Sequence, residues 1–331
     1  MFRKGENILD RAPQFCLARF FERKSLGYFM GTAFTIATTT SFAKPMLKAI
    51  AEKAGAKLFF RSQKGNFILF QGDCRSVLHE LNKASIEPDL IYADPPYHLS
   101  NGGISCQSGK MVSVNKGKWD TSDGPEADHA FVLSWIRSCL EALEKNGSIW
   151  ISGTHHIIFS IGFGLQKLGA KILNTVVWEK TAPPPHLACR YYTHSHEFVL
   201  WARKSEKSKH VYNYAFEKEA NGGKQQKDIW FPRHQDGDKE HLPNHWRLNA
   251  PKKAEKALGK HPTQKPLELL DRIIRCSSKP GSLVLDPFCG SGTTGIAALP
   301  LGRCFIGIDL SAEYLELAKL RHKALLQGDI F

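Results

Sequence analysis

The sequence predicts an α/β protein whose core is a doubly wound, mainly parallel sheet, and two observations carry that prediction. From Phe67 onward, short apolar runs alternate with segments of helical periodicity, the pattern left by successive β–α units. Two of those runs end in loops suited to ligands: Asp94-Pro95-Pro96-Tyr97 after one strand, and a Gly-x-Gly turn between another strand and its helix.

Residues 1–63 precede the pattern and read as an N-terminal extension with one helical piece over 45–54. Within it, residues 25–43 carry no charge and follow Arg23-Lys24, in the manner of an export signal. Five threonines, two serines and two glycines make that stretch too polar to span a membrane, so a cytoplasmic protein with no membrane partner is expected.

Residues 67–70 form a buried strand closed by Gln71-Gly72-Asp73, and 75–84 a helix with Val77, Leu78 and Leu81 on one face. The strand at 89–93 runs directly into Asp94. A Gly- and Ser-rich loop follows over 100–124, then a helix (130–144), a strand (148–152), a helix (156–168) and two strand-like runs (171–179 and 197–202). Residues 204–260 break the rhythm: they are polar and charge-dense, with Tyr212, Tyr214, Trp230 and Trp246 among Lys, Arg and His. They show no apolar periodicity, which marks an insertion and not a core layer. Regular structure resumes with a helix at 267–276, a strand at 283–285, a helix from about Thr294, a strand at 304–308 and a helix at 312–326.

Forty-five Lys and Arg against 32 Asp and Glu leave a net charge of +13, which favours a polyanionic partner because each neutralised phosphate releases a condensed counterion. The eight cysteines include no C-x-x-C pair, and the 14 histidines lack cysteine or carboxylate neighbours at ligand spacing. Neither a zinc site nor a disulfide framework is expected, and no metal is assigned.

Two constellations carry chemistry. The first, Asp286-Pro287-Phe288-Cys289-Gly290-Ser291-Gly292-Thr293-Thr294, lies between a strand and a helix, where glycines permit a tight turn and a helix N-terminus offers free N–H groups. Roughly 20 residues further on, Asp309 ends the next strand, where an acidic side chain can accept both hydroxyls of a ribose. This Rossmann-like spacing alone also fits a nicotinamide dehydrogenase, although the third glycine of that fingerprint is missing. The second constellation is the Asp94 loop. Its two prolines remove two N–H donors and leave rigid carbonyls. One carboxylate and one fixed carbonyl can hold both hydrogens of an amine, while Tyr97 offers a ring for a planar base.

Together with His261-Pro262-Thr263-Gln264-Lys265-Pro266 and Gly72-Asp73-Cys74, these motifs resemble the β-group amino-methyltransferases of DNA, the N4/N6 methylase family. In that family the catalytic half precedes the cofactor half. Leu99-Ser100-Asn101-Gly102-Gly103-Ile104-Ser105, Trp150-Ile151-Ser152-Gly153, Cys189-Arg190-Tyr191 with Thr193-His194-Ser195, and Lys227-Asp228 resemble its GATC-directed adenine methylases in particular. The likeness runs from Phe67 to the C-terminus and thins over 231–250.

The resemblance implies a circularly permuted, Rossmann-like methyltransferase sheet with a catalytic half (64–203), a basic target-recognition insertion (204–260) and an S-adenosylmethionine-binding half (261–331). It implies adenine-N6 methylation of DNA, double- or single-stranded, by Asp94, Pro95, Pro96 and Tyr97 on a base taken out of the stack. Asp73 is expected at the cofactor's adenine amine, Asp309 at its ribose and Lys265 at its methionine carboxylate. Asp286 and Gly290 shape the methionine pocket, with Asp94, Pro287, Phe288, Gly292 and Thr293 beside them. Lys116, Lys118, Arg190, His194, Lys227, Trp230, Arg233 and Trp246 are the expected nucleic-acid contacts. A homodimer and a cognate restriction endonuclease stay open as partners. So do other activities: cytosine-N4 methylation, where the family usually carries serine in place of Asp94, methylation of RNA, and a non-catalytic DNA-binding subunit.

Overall fold

The computed structural model describes residues 39–328 other than 101, 103, 108–109, 114, 118–119, 181–182, 184, 186–188, 227–250, 252–253 and 260. Helix α1 (Thr39–Lys53) leads into β1 (Lys57–Arg61) and β2 (Phe67–Gln71), then α2 (Cys74–Lys83) and β3 (Leu90–Ala93). A small hairpin, β4 (Ile104–Gln107) and β5 (Lys110–Ser113), precedes α3 (Pro125–Ala142), β6 (Ser148–Gly153), α4 (Ile158–Lys167), β7 (Lys171–Glu179) and β8 (His196–Arg203). The chain closes with α5 (Tyr214–Ala220), α6 (Leu267–Ser277), β9 (Leu283–Asp286), α7 (Thr293–Ala298), β10 (Cys304–Asp309) and α8 (Ala312–Gln327).

Eight strands form one sheet in the order β1-β2-β10-β9-β3-β6-β8-β7. The five central strands from β2 to β6 run parallel. All of β3 and all of β6 are buried, as near-continuous apolar runs require when helices cover both faces. Alternation along β3 divides the core. Ile91 and Ala93 join the cluster under α1 to α4, while Leu90 and Tyr92 join the cluster under α6 to α8.

The sheet is antiparallel at both ends: β1 on β2, and β8 on both β6 and β7. Sequence reading missed β1, which lies within residues 1–63; the sheet begins upstream of residue 64. Its side chains are exposed or half-buried, so no apolar alternation marks it. Sequence reading also missed α5, inside 204–260, because seven residues are too few to display a helical period. The Asn213 backbone N–H donates to the Cys276 carbonyl at 2.8 Å, and its side-chain amide to the Ser278 carbonyl at 2.8 Å. Arg272 of α6 pairs with Glu217 at 3.6 Å. Residues 204–226 therefore pack on the core. Among the described residues, no helix is long and apolar enough to cross a membrane.

β3 pairs directly with β9, Leu90 opposite Val284 and Ile91 opposite Leu285. The strands that follow each of them lie on opposite sides of that junction, β10 beside β9 and β6 beside β3. The carboxyl ends of such a pair open a crevice, the usual ligand position in open α/β sheets.

Candidate active site

A cavity of about 310 Å³ occupies that crevice. Asp73, Asp94, Pro95, Pro96, Tyr97, Pro287, Phe288, Gly290 and Asp309 line it. A recess of about 30 Å³ shares Asp94, Phe288 and Gly290 and adds Lys265, Asp286 and Thr293. The two loops singled out in the sequence thus meet in one cleft. Gly292 lines neither space.

The glycine loop is built from its backbone outward. The Gly290 N–H donates to Asp309 Oδ2 at 2.8 Å, and the Ser311 N–H to Asp309 Oδ1 at 2.8 Å. Asp286 accepts from the Phe288 N–H (3.0 Å) and the Thr294 hydroxyl (2.5 Å). Burial lifts the Asp286 pKa to about 7. Gly290 (φ +46°) faces His261, whose Nε2 would lie 2.8 Å from an added Cβ. Gly292 (φ +73°) lies against α8, and a Cβ there would sit 2.7 Å from that of Ala318. From α8, Arg321 donates to the Ser291 carbonyl and the Thr293 hydroxyl, each at 2.8 Å, and ties down the turn.

Asp73 caps α2, accepting from the Arg75 N–H at 2.8 Å, and the Arg75 guanidinium beside it holds its carboxyl below the usual range. With Asp309 it supplies carboxylate acceptors to a cavity that Phe131, Phe288 and Leu310 also line. Acceptors set among apolar rings suit the amine, hydroxyls and flat base of an adenosyl group.

The Asp94 loop is held from below by a residue that sequence reading did not select. Asp120, buried, accepts the Tyr97 N–H (2.8 Å), the Leu99 N–H (3.2 Å) and the Ser100 hydroxyl (2.9 Å). Tyr97 then donates its hydroxyl to Asp94 Oδ1 at 2.6 Å. Lys265 places its ammonium 2.8 Å from Asp94 Oδ2, on the wall of the recess, and 3.6 Å from Glu197 Oε2. Lys180 pairs with Glu197 Oε1 at 2.6 Å. Burial raises the Asp94 pKa, and Lys265 opposes that rise. Burial also works against the charge of Lys265, but Asp94 and Glu197 outweigh it and hold the ammonium above its ordinary range. Glu197 was legible as a carboxylate at the head of the apolar run His196–Arg203. Asp120 carried no local signal.

Of the expected nucleic-acid contacts, Lys116 lines the large cavity and its N–H donates to the Ser100 hydroxyl at 2.7 Å. Arg190 is exposed. His194 stacks on His155, with ring centroids 4.0 Å apart. Lys118, Lys227, Trp230, Arg233 and Trp246 lie outside the described residues.

Known proteins share this architecture and sequence. A family model described as DNA methylase, covering both N6 and N4 members, matches residues 88–320. The Type II methyltransferase M2.DpnII of Streptococcus pneumoniae is 49% identical over 262 residues, 79% of this chain and 91% of that protein. The Type II methyltransferase M2.MboI of Moraxella bovis is 47% identical over 266 residues, 80% of this chain and 91% of its own. Among solved structures, the M1.HpyAVI complex with S-adenosylmethionine superposes with a TM-score of 0.53 at 28% identity, covering 77% of this chain and 99% of the other. With the Asp94 and Gly290 loops in one cleft and full-length relatives at nearly half identity, this chain belongs to the N6/N4 DNA methylase family.

Proposed function

We propose that this protein is a site-specific DNA methyltransferase that methylates the N6 amine of adenine. The observation that supports the reading is that Asp94 and Gly290 line one cavity, as a methyl acceptor and its donor side by side would require. S-adenosylmethionine, when bound, supplies an electrophilic methyl group. Asp73 and Asp309 hold its adenosyl portion, and the recess of Lys265, Asp286 and Thr293 takes its amino-acid end.

Asp94 and the Pro95 carbonyl each accept one N6 hydrogen, which draws the nitrogen lone pair out of ring conjugation and aims it into the cavity. Pro96 stiffens the turn, and Tyr97 lies along the base. Holding both reactants aligned supplies much of the acceleration. The flipped adenine leaves the duplex stack to reach this cleft. Lys116, which lines the cavity, serves with Arg190 and His194 as a phosphate contact, and the basic insertion 204–260 serves target recognition. The carboxylate at position 94, where cytosine-N4 enzymes usually carry serine, favours adenine. Likeness to Type II methyltransferases supports a short recognition sequence, GATC by resemblance, a cognate restriction endonuclease and a cytoplasmic place of action.

The test is transfer of tritiated methyl to defined DNA and RNA duplexes by wild type and Asp94→Ala. The variant is expected to lose transfer while still binding S-adenosylmethionine in calorimetry. Undiminished transfer by the variant, or wild-type transfer to cytosine or RNA only, refutes the assignment.

A further inference from the structure

Behind the Asp94 loop, four charged side chains of alternating sign form a row: Lys180, Glu197, Lys265 and Asp94, joined at 2.6, 3.6 and 2.8 Å. The Tyr97 hydroxyl is shared between the two carboxylates, 2.6 Å from Asp94 and 3.3 Å from Glu197. Glu197 and Lys265 are each 7% exposed, whereas the Lys180 side chain is 36% exposed. The row joins the tail of β7, the head of β8, the turn before α6 and the end of β3, so it ties both halves of the fold to one carboxylate.

We infer that Glu197 is a positioning residue for methyl transfer: braced by Lys180, it shares the Lys265 ammonium and the Tyr97 hydroxyl with Asp94 and so loosens their hold on the carboxylate that accepts the amine. The inference rests on the proposed adenine-N6 activity. Without the charge of Glu197, Lys265 would have Asp94 as its one carboxylate partner in this row and would bind Oδ2 at full strength, in competition with the N6 hydrogen. Tyr97 would likewise be oriented by Asp94 alone, and the Lys265 ammonium that lies 5.1 Å from its ring centroid would shift with it.

The geometry also fixes the sign of a pH effect. Asp94 is faced by Lys265, Tyr97, Glu197, Tyr92 and Asp286, and Glu197 by Lys265, Lys180, Tyr97 and Tyr92. The negative charge of Glu197 opposes ionisation of Asp94, so removing it makes Asp94 easier to ionise. Lys180 neutralises part of that charge, so removing Lys180 makes Asp94 harder to ionise. The two changes push the acid limb of the rate profile in opposite directions, which general destabilisation cannot do.

The experiment measures kcat, KM for S-adenosylmethionine and the pH profile of kcat/KM on a defined adenine-containing duplex, for wild type, Glu197→Gln and Lys180→Met. Glu197→Gln is expected to lower kcat by about 10- to 100-fold, the scale of a displaced reacting group, with KM for the cofactor held within about threefold. Its acid limb should move to lower pH by roughly half a unit or more, and that of Lys180→Met to higher pH. Limbs that stay at the wild-type position, or move together, overturn the inference, as does full kcat in Glu197→Gln. If Glu197→Gln fails to fold, Lys180→Met decides alone: an upward shift supports the role and no shift overturns it. Wild-type protein that transfers no methyl to adenine removes the underlying activity, and the inference with it. An active wild type with unmoved variants removes only the role of Glu197.

Discussion

Gly292→Ala is expected to cost more than any open glycine of the same conformation, because two penalties coincide there. Gly292 holds φ +73° and ψ 20°, the left-handed region, at the N-cap of α7. Placing an L side chain in that conformation costs about 1–2 kcal/mol. The new Cβ would also sit 2.7 Å from the Cβ and 3.3 Å from the Cα of Ala318, which is fully buried in α8. Backbone atoms of a packed helix cannot swing aside, and overpacking of this kind costs about 1–3 kcal/mol. The sum is about 2–5 kcal/mol, less the few tenths that alanine returns by restricting the unfolded chain. Gly169 supplies the control, since its φ is +80° and nothing lies within 4 Å of its would-be Cβ. Gly169→Ala should therefore lose only the conformational part. Urea unfolding of both variants measures the difference, and Ala318→Gly introduced into Gly292→Ala should recover the packing part. Equal stabilities for the two glycine variants would refute the reasoning, as would a double variant with no recovery.

Asp120→Ala strips three hydrogen bonds from the Asp94 loop, and kcat should fall by about 10- to 100-fold while calorimetry shows cofactor affinity nearly unchanged. Asp286 binds its proton more readily when folded, with burial lifting its pKa to about 7. Its contribution to stability is therefore full below the unfolded value near 4 and lost as pH rises through about 7. Asp286→Asn should gain on wild type across that window in urea titrations at successive pH values, and a constant difference would count against the assignment. His322 behaves in the opposite sense. Burial pushes its pKa down to about 4, with its ring centroid 4.5 Å from that of Phe67 and 5.5 Å from that of Phe60. Stability from this site is present above pH 6.5 and lost as pH falls toward 4. His322→Phe should flatten that acid loss in thermal melts.

The parallel centre of the sheet was readable because β3, β6, β9 and β10 are buried on both faces and must be apolar almost throughout. The two loops that line the crevice were readable because glycine and proline are chosen there for backbone reasons that survive without neighbours. What escaped depends on partners far along the chain. β1 is an edge strand with one face half in solvent, so its composition is unconstrained. Asp120 looks like any loop aspartate until Tyr97, Leu99 and Ser100 turn their donors toward it. The expected duty of Lys265 toward a cofactor carboxylate came from a motif, whereas its pairing with Asp94 and Glu197 arises from the meeting of β3, β8 and the turn before α6. Sequence order names the pieces, and strand order decides which pieces touch.

The position of β9 has a consequence for the birth of the protein. It lies between β10 and β3 in the middle of the sheet, yet among the described residues it and β10 are the last strands in chain order. Until they emerge, β2 and β3 cannot become part of one sheet, and the proline loop has no opposite wall. Pairings this distant along the chain are slow to form and leave apolar strand edges waiting. A product ending before Leu283 would therefore carry the Asp94 loop without the Gly290 loop that lines the same cavity.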